Sequence, residues 1–146
     1  MIGFEALRIH CPHNCVVTAT EHGTLMMARD DVRADMYRIG ELWTCLRERF
    51  GIPHDCTSED TDKAMGRNTG YLFGHFSISD CMYAPIINRL MTYDPTMSSL
   101  VAYPVAKQYA LHLYSNELLQ EWISAAKTEG LEWKIAKYES VLQVSK

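Results

Sequence analysis

The segment Phe73-Gly74-His75-Phe76-Ser77-Ile78-Ser79-Asp80 specifies a helix start residue by residue. Ser77 can accept a hydrogen bond from a first-turn backbone N–H, and Asp80, three residues on, can reach back to the N–H of Ser77. That is a capping box. Phe76 before the cap and Cys81 in the next turn are spaced as a hydrophobic staple. The helix that follows, over about 78–93, is apolar all round: Ile78, Cys81, Met82, Tyr83, Ala84, Pro85, Ile86, Ile87, Leu90 and Met91, with charge only at Asp80 and Arg89. A helix without a polar stripe is expected to be buried on every side. The pattern therefore predicts the centre of a helical domain, with one backbone bond lost and a kink at Pro85.

The other segments supply helices to surround it, and no strand alternation is visible. Val32, Met36, Ile39, Trp43, Leu46 and Phe50 recur at helical spacing, with charged residues between them. Asp30 and Asp31 sit where the helix dipole favours anions, and Gly51 and Pro53 stop the run. Residues 52–70 are polar and broken by glycine, which reads as a surface loop. Pro104 suits a first helical position, and Val105, Gln108, Leu111, His112 and Tyr114 carry a helix to about 115. Ser115 or Asn116 can cap the next one, which bears Leu118, Leu119, Trp122, Ile123 and Ala126 and can end at Gly130. In the tail, Leu131, Ile135, Tyr138 and Leu142 allow a further short helix or a strap, so residues 131–146 are expected to pack on the bundle. The expected fold is all-α, a bundle of about five helices forming one domain over 1–146.

Composition narrows the partners. Hydrophobic residues make up 47% of 146, enough for a core without staples, and the net charge of −4 suits neither nucleic acid nor an anionic membrane. No window reaches the roughly 20 apolar residues of a membrane span. No secretory signal is visible, and five scattered cysteines favour reduced thiols in the cytoplasm over a disulfide framework.

Taken together, these segments resemble the C-terminal, all-helical domain of bacterial cytosolic glutathione S-transferases. Gly3-Phe4-Glu5-Ala6-Leu7-Arg8 with Cys11-Pro12-His13-Asn14 looks like the end of that domain's first long helix. Asp35-Met36-Tyr37-Arg38-Ile39-Gly40-Glu41-Leu42-Trp43 looks like its second. Leu72 through Asp80 with Met82-Tyr83-Ala84-Pro85 matches its capped central helix, continued by Arg89 and Thr92-Tyr93. Glu121-Trp122 and Trp133-Lys134-Ile135-Ala136-Lys137-Tyr138-Glu139 fit its end. The resemblance implies that Ser77 and Asp80 are structural caps. It implies that the thioredoxin-like half, which binds glutathione and stabilises its thiolate, has no counterpart in this sequence. Ser79 and His13 depart from the residues usual in the family. What survives of the family's site is one apolar wall, on which Phe4 and Arg8 are the candidate ligand-binding residues. Glutathione would be a co-substrate only if the missing half were supplied.

Three other clusters suggest chemistry and are better explained without it. His10-Cys11-Pro12-His13-Asn14-Cys15, with His22 behind, offers zinc-type ligands, but Cys-x3-Cys lacks a second paired half, so no metal site is expected. A redox role would need a lowered thiol pKa, which His10 and His13 could supply. His54-Asp55-Cys56 sits on a polar loop, where adjacent residues rarely converge on one substrate atom. Tyr83, Tyr93 and Tyr103 read as core or interface tyrosines. No residue is therefore assigned a catalytic role. The leading expectation is a transferase-like helical domain that is non-catalytic alone and binds a protein partner or an apolar small molecule. Apolar surface left uncovered by the missing half would favour a homodimer or a thioredoxin-like partner domain. The alternative is a fragment or separately encoded half of a glutathione transferase that conjugates glutathione to electrophiles. A third is a folding product without a selected role.

Overall fold

A computed structural model describes residue 4, residues 6–7, 27–51 and 70–128. Four α-helices make up most of this: α1 (Asp30–Leu46), α2 (Ile78–Tyr93), α3 (Pro104–Tyr114) and α4 (Glu117–Thr128). No strand occurs among the described residues, and the architecture is the all-α bundle expected. Of the expected N-terminal helix only Phe4, Ala6 and Leu7 are described, the last two as helix; the 52–69 stretch, Gly130 and the 131–146 tail lie outside the described residues.

α1 forms where its pattern predicts. Arg29 is its N-cap, Asp30 and Asp31 occupy the first turn, and Val32, Met36, Ile39 and Trp43 are buried. Asp31 Oδ1 accepts the Val32 N–H at 2.8 Å, satisfying one of the orphan donors of the first turn. Phe50 departs from the expectation: it is half-exposed. The reason is a π-helical turn at Arg47–Gly51. Its wider ladder rotates the following residues out of the stripe, and Phe50 packs instead against Phe73, with ring centroids 5.7 Å apart.

α3 has the expected Pro104 start and packs against α1, α2 and α4. Its inward face is Ala106, Tyr109, Ala110 and Leu113, while Gln108 and Leu111 are exposed. Small alanines let neighbouring backbones approach, and the large residues between them fill the gaps. Tyr103, just before α3, packs against Gly40, where a Cβ would run into its ring. That close approach explains a glycine in the middle of α1, where it otherwise costs about 1 kcal/mol. Trp43 is fully buried and meets Tyr83 of α2 at 5.4 Å and Tyr109 of α3 at 5.2 Å, both edge-on.

α2 spans the expected residues, but burial on every side does not hold. Asp80, Ile87, Leu90 and Tyr93 are buried, whereas Ile78 is 80% and Met82 57% exposed, and Cys81 is also open to solvent. α2 packs on α3, and its buried residues beyond Asp80 all lie in its second half, while Ile78, Cys81 and Met82 in its first two turns face outward. Between α2 and α3, Asp94 organises the chain. Its Oδ1 accepts from Ser98 N–H, Ser98 O–H and Thr96 O–H, and its Oδ2 from Ser99 N–H and Ser99 O–H. This holds a short 3-10 turn at Ser98–Leu100 and seats the fully buried Met97 with φ of 49°.

Candidate functional site

The capping box forms as the sequence predicts. Asp80 Oδ2 accepts the Ser77 N–H at 2.8 Å and the Ser77 hydroxyl at 2.9 Å. Its other oxygen, Oδ1, accepts the Leu72 N–H at 3.1 Å, a tether that residue spacing alone did not reveal. The Tyr71–Gly74 turn just upstream closes through Gly74 N–H to Tyr71 C=O, with Gly74 at φ 87°, a conformation that favours glycine. Arg47 reaches the carbonyls of Gly51 and Tyr71, clamping the end of α1 to this turn. Its burial lowers the guanidinium pKa, opposed by the Asp80 charge. Burial also pushes the Tyr109 phenol far above its ordinary range, and the Asp80 carboxylate beside it pushes the same way. Tyr83 is raised by burial too. These shifts all keep the tyrosines protonated and follow from a packed core, so they supply no acid or base near neutral pH.

The N-terminal wall is described only in part. Phe4 is half-buried, with the Arg38 guanidinium carbon 5.7 Å from its ring centre. The fully buried Leu7 donates its N–H to Asp35 Oδ2 at 3.1 Å, and Asp35 in turn faces Arg38 at 3.7 Å. Arg38 is thus the partner of Phe4 that sequence reading missed. Arg8 lies outside the described residues, as do the His10–Cys15 cluster, His22 and the His54-Asp55-Cys56 triplet. Among the described residues no group of three His, Cys, Asp or Glu side chains could hold a metal ion, and no helix is long and apolar enough to cross a membrane.

Among the described residues, an apolar groove of 240 Å³ lies between α2 and α4. Phe76, Cys81, Ala84 and Pro85 form one side; Leu118, Leu119 and Trp122 form the other; Leu113 and Asn116 lie at its base. The local sequence explains the shape. Asn116 Oδ1 accepts the N–H groups of Leu118 at 3.0 Å and Leu119 at 3.3 Å, the capping role expected for Ser115 or Asn116. Its amide Nδ2 donates to the Tyr71 hydroxyl at 2.7 Å, and the Tyr71 ring meets Phe76 at 5.2 Å and His112 at 4.7 Å. Phe76 and Cys81, the expected staple pair, therefore share a wall of the groove. In α4 only Leu119 and Ile123 are buried, while Leu118 is 62% and Trp122 47% exposed. Chemically the groove can exclude water and hold apolar surface. No acid or cation lines it, and its one amide is committed to neighbours.

The profile of the glutathione S-transferase C-terminal domain matches residues 32–110. No curated protein matches the chain, and neither does any solved structure. The match covers more than half of the 146 residues and takes in the buried stripe of α1, the Ser77–Asp80 capping box and Ala106, Tyr109 and Ala110 of the core face of α3. By that match and by its fold, the chain belongs to the glutathione S-transferase C-terminal domain family.

Proposed function

We propose that this chain is a glutathione S-transferase-like helical domain that acts through apolar surface, associating with a protein or holding an apolar molecule, and is non-catalytic alone. The observation that supports this reading is the groove between α2 and α4, bounded by Phe76, Pro85, Leu118 and Trp122. Activating a thiol needs a base, a cation or directed donors at the sulfur, and the described lining offers none. Phe4 and Arg8 are proposed as a second, N-terminal contribution to apolar-ligand binding, supported by the half-buried Phe4 ring. The exposed, unpaired thiols of Cys45 and Cys81 support a reducing cytoplasm as its location.

The test is conjugation of glutathione to an aryl halide by the purified chain, with glutathione binding followed by calorimetry in the same preparation. The expected result is no turnover above the uncatalysed rate and no binding heat, together with enhanced emission of an apolar fluorophore that Trp122→Ser diminishes. Clear turnover by the chain alone overturns the proposal. A second reading, one half of a conjugating glutathione transferase, is supported by the family match across the capping box. It predicts that adding a thioredoxin-like partner domain confers conjugation, and no gain on addition rejects it.

A further inference from the structure

α4 uses only part of its apolar surface among the described residues. It packs on α3 and buries Leu119 and Ile123, while Leu118 and Trp122, one turn apart on the same helix, line the groove together with Phe76, Cys81 and Pro85. α4 ends at Thr128, and the residues that follow it in the chain lie outside the described ones. Their sequence matches this groove in reach, in apolar pattern and in charge.

We propose that residues 131–142 return along α4 as an antiparallel helix and seat their apolar stripe in the groove, where they compete with any apolar partner. The inference rests on the apolar-surface reading above and names how that surface is regulated. Reach comes first. Glu129-Gly130 is a link of the length that joins helix hairpins, with glycine where a helix commonly ends. A helix over 131–142 spans about 18 Å, and the way back along α4 from Thr128 to Leu118 is about 16 Å. Pattern comes second. Leu131, Ile135, Tyr138 and Leu142 fall at i, i+4, i+7 and i+11, one face of a helix. Paired antiparallel across the link, Tyr138 comes level with Trp122 and Leu142 with Leu118. Charge comes third, and it lies beside the groove rather than in it. Lys134 and Lys137 fall on one edge of the stripe, Glu132 and Glu139 on the other. With the stripe turned into the groove and the chain antiparallel to α4, the right-handed winding of both helices puts the lysine edge next to α4. Glu117 and Glu121 of α4 are exposed there, so Lys137 comes within reach of Glu121.

The test is the rate at which iodoacetamide alkylates Cys81 in the full chain, followed by peptide mass spectrometry. Cys81 lines the groove, and Cys45, exposed on α1, is the reference within the same molecule. Tyr138→Glu and Leu142→Glu are each expected to speed Cys81 alkylation at least about tenfold, as when a docked segment is released, with Cys45 unchanged. Trp133→Glu, on the side of the helix opposite the stripe, is expected to leave both rates alone. Lys137→Glu is expected to speed Cys81 about threefold, the scale of one exposed ion pair, and adding Glu121→Lys is expected to restore the wild-type rate. Circular dichroism and the melting temperature establish that each variant is folded. A Cys81 rate that no stripe variant changes, or that Trp133→Glu raises as much as Tyr138→Glu does, overturns the proposal. So does a wild-type Cys81 rate that falls as protein concentration rises, because a second copy then covers the groove. The apolar fluorophore separates this inference from the reading beneath it. Strong emission with unchanged Cys81 rates rejects the tail as occupant and leaves the apolar-ligand reading standing. Cys81 protection that the stripe variants remove, with no emission from any chain, supports the tail in its seat and rejects apolar-ligand binding.

Discussion

α1 and α2 have nearly the same length, 17 and 16 residues, and meet water in opposite ways. α1 alternates charge with a narrow apolar stripe and buries Val32, Met36, Ile39 and Trp43 beneath it. α2 has almost no charge, yet leaves Ile78 and Met82 among the most exposed large side chains of the fold. A polar stripe reports which side of a helix faces water. Its absence reports only that no side is reserved for water, and a partner can satisfy that condition as well as a core can.

This contrast can be broken first at its most buried point. Trp43→Ala removes a fully buried ring packed edge-on against Tyr83 and Tyr109, and a loss of about 3–5 kcal/mol is expected in urea unfolding. A loss below about 1 kcal/mol would mean that α1 does not anchor the core. Next is Asp80→Ala, which strips the partner from the Leu72 and Ser77 amides together. Chemical denaturation should register about 2–3 kcal/mol, more than a surface cap alone provides.

Asp94, at the end of α2, gives a pH-dependent version of the same comparison. Burial would raise its carboxyl, but hydrogen bonds from Ser99 and Ser98 outweigh that and hold its pKa below the usual value. A group with a lowered folded pKa stabilises above its unfolded pKa of about 3.9 and loses that contribution as pH falls through the folded value. Asp94→Asn should therefore cost about 1 kcal/mol at neutral pH, and the gap to wild type should close in strong acid. A gap independent of pH would show that the Asp94 charge plays no part. The smallest effect is expected at the outer face of α2: Ile78→Ser should shift the unfolding free energy of the monomer by no more than about 0.5 kcal/mol. A larger loss would place Ile78 inside the core after all.

Much of this architecture could be read before any coordinates. The α1 stripe, the Ser77–Asp80 box, the Pro104 start and the Asn116 cap are local signals, each written within a few residues. What sequence hid depends on contacts between distant segments. The π turn that swings Phe50 outward coincides with Arg47 reaching the carbonyls of Gly51 and the distant Tyr71. Arg38 became the neighbour of Phe4 only when α1 met the N-terminal segment. The groove needed Asn116 to hold α4 open beside α2, while the apolar run of α4 had shown no way to divide Leu119 and Ile123 from Leu118 and Trp122. Of the candidate ligand residues, Phe4 could be placed from a resemblance, but its surroundings could not.

The divided use of the Asp80 carboxylate has a kinetic meaning as well. One oxygen holds the amide of Leu72 and the other holds that of Ser77, five residues further on. Neither amide can be released by rotating the carboxylate without disturbing the other. The turn and the first turn of α2 therefore open as one unit, and both protons should exchange with solvent at a shared rate set by that single event. In Asp80→Ala the two amides should exchange independently, each at the pace of its own local fraying.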